Sequence, residues 1–420
     1  MQTVKRKYHE NKCINYKRIN RMMKRFRKIV TAMLAAVMVT GLVACGKNSS
    51  KSADGKLNVV TTIFPEYDWT REIVGQGEFG TDKSAADKVE ITMLLDKGTD
   101  LHSFQPTAED ITKISTCDVF IYVGGESDKW VDDALKEATN KDMKVINLME
   151  VLGDSVKEEE LVEGMQGEED EHEEDTHSDG EAEDTLTDEL IITDELTEDI
   201  DNHDGDAVGS EEDEYHHDEE AEGHHHDEEA EGHHHDEGEK EYDEHVWLSL
   251  KNAQTITSVI AEKLGEADPD NAAAYKANAE AYNKKLSELD GEYKTAVDNA
   301  TTDTLLFGDR FPFRYMVEDY GINYYAAFIG CSAETEASFE TIIFLSGKLD
   351  ELKLPAICTI ENSDQKIAKT VKENSKTGDQ EILVMDSLQS VTKSDVDSGA
   401  TYYGKMSSNL EALKQALGSK

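Results

Sequence analysis

The chain has 420 residues, room for two or three domains of ordinary size, with 37% hydrophobic and 32% charged residues. Its 43 Lys+Arg against 91 Asp+Glu give a net charge of -48, which argues against a nucleic-acid binder, because neutralising phosphates needs a basic face. Residues 158–244 hold 42 of the acidic residues and a single basic one, Lys240, so an ordinary, mildly acidic protein carries one extreme insertion.

Residues 29–44 form an apolar run of 16 residues behind Lys24, Arg25, Arg27 and Lys28. A membrane-spanning helix needs about 20 residues, so the basic start and short apolar stretch read as a signal peptide. The run ends in Leu42-Val43-Ala44-Cys45-Gly46, which resembles a bacterial lipobox. Cleavage before Cys45 and diacylation of its thiol would give stable anchoring, where one chain is marginal. Residues 1–45 are thus read as signal peptide and 46–56 as a polar tether. The first 21 residues are basic and unpatterned, and Met22 or Met23 reads as the true start, which leaves His9 and Cys13 outside the protein. Cys117, beside the apolar run 119–123, reads as core. Whether Cys331 and Cys358 pair is left open by the sequence.

Next come short apolar runs alternating with helical stretches. Candidate strands are 57–64, 89–95, 119–123 and 144–148, then 304–307, 324–328, 356–360 and 382–385. Helical material lies at 67–74, 108–114, 130–137, 339–352 and 364–373. Four strands on each side of the middle predict an α/β fold of two lobes with mostly parallel sheets. The amino-terminal lobe spans 57–265 and the carboxyl-terminal lobe 301–420. Between them, 252–264 has helical spacing. Asp268 and Pro269 suit the cap and first position of a second helix running to about 297. A helix of that length reaches roughly 40 Å at 1.5 Å per residue, which suits a rigid link (266–300) between lobes. Gly291 offers a break that would instead give a hairpin.

Within 158–244, residues 168–244 have no sustained apolar period and cannot offset chain entropy, so this His/acid-rich loop is expected to be disordered. It holds 11 of the 14 histidines. A repeat of nine residues starts at His224-His225-His226, returns at His233-His234-His235, and has a degenerate copy at His216-His217. Imidazoles favour zinc, copper and nickel over calcium and magnesium. These eight histidines are read as weak, exchangeable metal sites.

Two motifs carry the chemistry. Gly98-Thr99-Asp100-Leu101-His102-Ser103-Phe104-Gln105-Pro106 follows the second strand, and Asp243-Glu244-His245-Val246-Trp247-Leu248 follows the loop. They resemble the G-x-x-x-H-x-[FY]-x-P and D-P-H-x-W-L segments of the metal-binding receptors of bacterial ABC importers, with Glu244 where Pro is usual. Thr61-Thr62-Ile63-Phe64-Pro65 and Tyr122-Val123-Gly124-Gly125-Glu126 match as well, and the His-rich loop resembles the zinc-type branch. The resemblance covers nearly all of 57–417. It implies a lipid-anchored receptor on the extracytoplasmic face of the bacterial cell membrane, monomeric and not an enzyme. Such a receptor takes Zn2+ in a cleft between the lobes and hands it to an ABC permease driven by its ATPase.

The resemblance also implies ligands. His102 and His245 are the only histidines of the mature chain outside the loop, and neutral imidazole is a common zinc ligand. The family's third ligand slot, aligned on Phe313, Tyr315 and Tyr320-Gly321, holds Arg310, whose guanidinium offers no lone pair. Its neighbour Asp309 either reaches the ion instead or pairs with Arg310. The fourth family ligand matches Asp386 in Met385-Asp386-Ser387, where capping of the following turn is the alternative. Glu361 is a spare carboxylate nearby. Rival readings are a Mn2+ receptor of the same fold, since carboxylates favour harder ions, a surface adhesin, and a zinc hydrolase. The last lacks an H-E-x-x-H pair and would need a zinc-bound water with a general base.

Overall fold

The computed structural model describes residues 55–166, 241–332 and 336–419. The signal peptide, Cys45, and the loop histidines from His216 to His235 lie outside the described residues.

The amino-terminal half alternates β1 (Leu57–Thr61), α1 (Phe64–Ile73), β2 (Val89–Met93), α2 (Ala108–Thr116), β3 (Val119–Tyr122), α3 (Val131–Lys136), β4 (Lys144–Asn147) and α4 (Leu148–Leu152). Two long helices follow, α5 (Leu250–Ala267) and α6 (Ala272–Asp298). The carboxyl-terminal half runs β5 (Thr304–Phe311), α7 (Arg314–Tyr320), β6 (Asn323–Ile329), α8 (Phe339–Leu352), β7 (Ala356–Ile360), α9 (Lys366–Asn374), β8 (Glu381–Met385), α10 (Lys393–Asp397) and α11 (Tyr402–Ala416). Each half builds one four-stranded sheet, ordered β2-β1-β3-β4 and β6-β5-β7-β8, and every pairing is parallel. Both faces of a parallel sheet are covered by helices, which is why β3 and β7 are buried at every residue. All eight expected strands form. β5 is longer than its apolar run because a register shift between Phe307 and Arg310 carries pairing on through polar residues.

The expected long helix between the halves forms, and it is packed against both of them. α6 is one unbroken helix, with Gly291 on an open face. It begins at Ala272, so Asp268 does not cap it; that carboxylate instead accepts the Tyr275 hydroxyl at 2.9 Å. The helix is packed along its length through Tyr275, Tyr282, Leu286, Leu289 and Tyr293, all buried. Asn278 donates to Ile73 O of α1 at 3.0 Å, and the Tyr293 hydroxyl donates to Met406 O of α11 at 2.7 Å. One continuous core therefore includes Val59 and Phe120 of the first sheet, Trp247, Tyr282, and Phe307 of the second. A smaller core lies under α8 and α9, around Leu306, Leu345, Ile357 and Val371. Helix α11, absent from the sequence expectation, ties the halves again, with Tyr402 N donating to Asp68 Oδ2 at 2.8 Å.

The edges of the acidic insertion are ordered. Glu158 and Tyr242 form an antiparallel bridge. Glu159 N donates to Glu241 O and Asp243 N to Lys157 O, each at 2.9 Å. Past this ribbon, Gln166 N donates to Ala327 O of β6 at 3.0 Å.

Candidate metal site

In open parallel sheets, ligands gather outside the carboxyl ends of the strands. His102, Asp309, Cys331 and Asp386 all lie at or just past such ends, after β2, in the last turn of β5, after β6 and after β8. His245 arrives differently, on the segment that returns from the insertion ribbon.

His102 sits in a single 3-10 turn, Leu101–Ser103, where Asp100 caps the start by accepting His102 N at 3.0 Å. His245 precedes a second such turn, Val246–Leu248. Its segment is held from several sides. The Tyr315 hydroxyl donates to Asp243 O at 2.7 Å, Trp247 Nε1 to Ser387 O at 2.9 Å, and the Tyr402 hydroxyl to Trp247 O at 2.7 Å.

These turns bring the two rings together. His102 Nε2 and His245 Nε2 lie 3.3 Å apart. With Zn–N bonds of 2.0–2.1 Å, two nitrogens of a tetrahedral zinc are about 3.3–3.4 Å apart. The other face of each ring is engaged. His245 Nδ1 is 2.9 Å from Asp243 Oδ1, which also accepts His245 N at 2.8 Å. His102 Nδ1 is 2.8 Å from Ser127 Oγ and 3.5 Å from Glu244 Oε2. Glu244 is itself oriented by Ser127 N, which donates to Oε1 at 2.8 Å. The Asp243 carboxylate thus engages His245 Nδ1 and the Ser127 hydroxyl engages His102 Nδ1, leaving the two Nε2 atoms facing one another.

Electrostatics separates the rings. Burial, then the neighbouring His245, pull His102 down to about 4, so it is neutral near pH 7. Burial opposes charging of His245 too, but Asp243 outweighs it and holds that ring above its ordinary value. Burial raises the Glu244 carboxyl.

A third ligand-type atom joins this pair. Among the described residues, the group of His, Cys and carboxylate atoms lying mutually within 4.8 Å is His102, His245 and Cys331. Cys331 is half-buried, Cys117 and Cys358 are buried, and all three are free, so no Cys331–Cys358 disulfide forms. Cys331 N donates to Glu159 Oε1 at 3.3 Å. Gly330 makes the approach possible, since a Cβ there would stand 3.0 Å from His245 Cε1 and 2.9 Å from Phe311 O.

The two expected carboxylates do not join the group. Asp309 Oδ1 accepts its neighbour's amide, Arg310 N, at 2.9 Å, and Oδ2 faces Ile360 N at 3.4 Å. Asp386 caps the following turn by accepting Leu388 N at 2.8 Å and pairs with Lys405. Glu361 accepts the amide and hydroxyl of Ser387, each at 2.7 Å. Arg310 pairs with Asp100 rather than with Asp309. A cavity of about 450 Å³, lined by Asp100, Ser103, Asp309, Arg310, Ser332 and Asp364 among others, opens beside this pair. Sequence reading missed Cys331, Ser127 and the contact of Glu244 with His102. The available signal for Cys331 was its place directly after a predicted strand, the same placement that marked Asp386.

Comparison with known proteins agrees with this architecture. The family model described as zinc-uptake complex component A, periplasmic (ZnuA) matches residues 59–416. The zinc-binding lipoprotein AdcA of Streptococcus pneumoniae R6 is 28% identical over 388 residues, 92% of this chain but 61% of that protein, so the chain spans about three-fifths of its length. The high-affinity zinc uptake system protein ZnuA of Bacillus subtilis is 27% identical over 398 residues, 93% of this chain and 98% of that one. Among solved structures, the Zn(II)-bound ZnuA-like domain of S. pneumoniae AdcA superposes with a TM-score of 0.55 at 24% identity, over 86% of this chain and 99% of that one, a likeness of fold. The match from the first strand to the last helix, over paired parallel sheets and both histidine motifs, makes this chain a member of the ZnuA family of periplasmic zinc-uptake components.

Proposed function

We propose that the chain is an extracytoplasmic receptor that captures Zn2+ between its two lobes and delivers it to an ABC permease, performing no chemistry of its own. The observation that carries this reading is the facing pair of Nε2 atoms 3.3 Å apart, His245 backed by the Asp243 carboxylate and His102 by the Ser127 hydroxyl. His102 and His245 are the proposed ligands at the centre of the site. The lobes 57–265 and 301–420, linked through 266–300, form the cleft, and Cys45 is the proposed lipid anchor. The printed names of the relatives, a zinc-binding lipoprotein and a zinc uptake protein, support the reading.

Calorimetry of zinc binding tests it. His102→Ala and His245→Ala should each weaken the tightest equivalent at least about tenfold, since loss of a ligand exceeds the effect of losing a partner behind it. Unchanged affinity in both would reject the site. The same titration on a chain lacking 167–240 should keep the tight equivalent and lose weaker ones assigned to His216, His217, His224, His225, His226, His233, His234 and His235. Equal stoichiometry would leave those histidines without a metal role. Cys45→Ala should abolish palmitate labelling, and labelling that persists would remove the anchor.

A further inference from the structure

The family's third-ligand position is occupied here by a residue that cannot ligate. Arg310 has no free lone pair and is spent on Asp100. Asp309 and Asp386 are spent on a backbone amide, a turn and Lys405. What the fold puts beside the two Nε2 atoms instead is a sulfur, delivered from β6 rather than β5.

We propose that Cys331 is the third protein ligand, so that this receptor binds zinc through two imidazoles and a thiolate; the proposal rests on the reading of His102 and His245 as ligands. Three independent features support it. The Cys331 sulfur lies within 4.8 Å of ligand atoms of both histidines. The strand end that carries it is pressed against the His245 ring because residue 330 has no side chain. Its backbone is fixed by Glu159, which belongs to the ribbon leading to His245. Zn–S bonds of about 2.3 Å and Zn–N bonds of about 2.0–2.1 Å fit one tetrahedral centre, with a fourth position left for water.

The step is an exchange: the thiol loses its proton to solvent as sulfur binds the ion, and the two histidines bind through nitrogen lone pairs. The consequence is specificity. A thiolate is a soft donor and strongly favours zinc over manganese, whereas a carboxylate in the same place would narrow that difference. The departure at Arg310 thus does not leave the site one ligand short; it changes its chemistry.

The test is optical and uses the full chain in detergent with one equivalent of Co2+. A sulfur-to-cobalt charge-transfer band in the near ultraviolet is expected. It should vanish in Cys331→Ser and persist in Cys358→Ala, which removes a free thiol away from the histidine pair. Cys331→Ser should weaken zinc at least about tenfold and lower the zinc-over-manganese preference, while Cys331→His should keep tight zinc without the band. Tight cobalt binding that depends on His102 and His245 but shows no such band overturns the thiolate and leaves the histidine site standing. Tight binding indifferent to both histidines overturns the underlying site as well.

Discussion

Replacing Gly330 with alanine is the sharpest test of how the second histidine is held. The added Cβ would lie 2.9 Å from Phe311 O, 3.0 Å from His245 Cε1 and 3.2 Å from His245 Nδ1. The carbonyl belongs to β5 and cannot move freely. The ring is fully buried and fixed through Asp243. One of them must yield by a few tenths of an ångström, and overpacking of this kind costs about 1–3 kcal/mol. If the strand yields, the cost appears in the metal-free protein as a lower melting temperature. If the ring yields, the 3.3 Å Nε2 spacing changes, and about 1.4 kcal/mol lost there is a tenfold loss of zinc affinity. Thermal unfolding of the metal-free protein and competition with a chromophoric chelator read the two parts separately. Gly347→Ala is the control. Nothing stands within 4 Å of that position in α8, so it should stabilise by up to about 1 kcal/mol through helix propensity. Gly330→Ala with melting temperature and affinity both unchanged would refute the close packing on which the site geometry depends.

Two further outcomes are expected. Asp243→Asn removes the carboxylate behind His245 but leaves the Asp243 carbonyl that Tyr315 binds; zinc affinity should fall about ten- to a hundredfold, and an unchanged chelator competition would make that partner immaterial. Stability of the metal-free protein should fall as pH rises from about 5 to 7.5. Burial pushes the carboxyls of Asp68 and Asp128 up to about 7 from 3.8, so in that window the folded state keeps protons the unfolded chain has released, and stability is lost as pH climbs toward the folded value. His102, pulled down to about 4, acts in the opposite sense up to its ordinary 6.5, but burial also raises the carboxyls of Glu66, Glu244 and Glu361, which act with the two aspartates. Melting temperatures across that range check the slope, which Asp68→Asn or Asp128→Asn should flatten; a melting temperature that rises with pH would refute it.

The sequence carried the sheets and the two histidines well, for a physical reason. Strands of a parallel sheet are buried on both faces and read as apolar runs, and His102 and His245 stood alone outside the insertion. It carried the rest of the site poorly, because a strand end says which end of the sheet a residue occupies and nothing about what else competes for it. Asp386 looked free until Lys405 and the turn at Leu388 came to meet it. Whether Cys331 paired with Cys358 was open in the sequence; the missing side chain at Gly330 brings its strand against His245 instead. Helix α11 escaped notice because Gly404, Ser407 and Ser408 dilute the helical spacing of Tyr402, Met406, Leu410 and Leu413.

The ribbon of Lys157–Glu159 and Glu241–Asp243 has a consequence for how such a protein can change. It closes the chain two residues before His245, which is positioned by bonds to Asp243 and, through the ribbon, to Lys157. Sequence can therefore be gained or lost between the two arms of the ribbon while the bonds that hold His245 stay in place. The tandem copies at 216–223, 224–232 and 233–238 are the kind of record that such freedom leaves in a sequence.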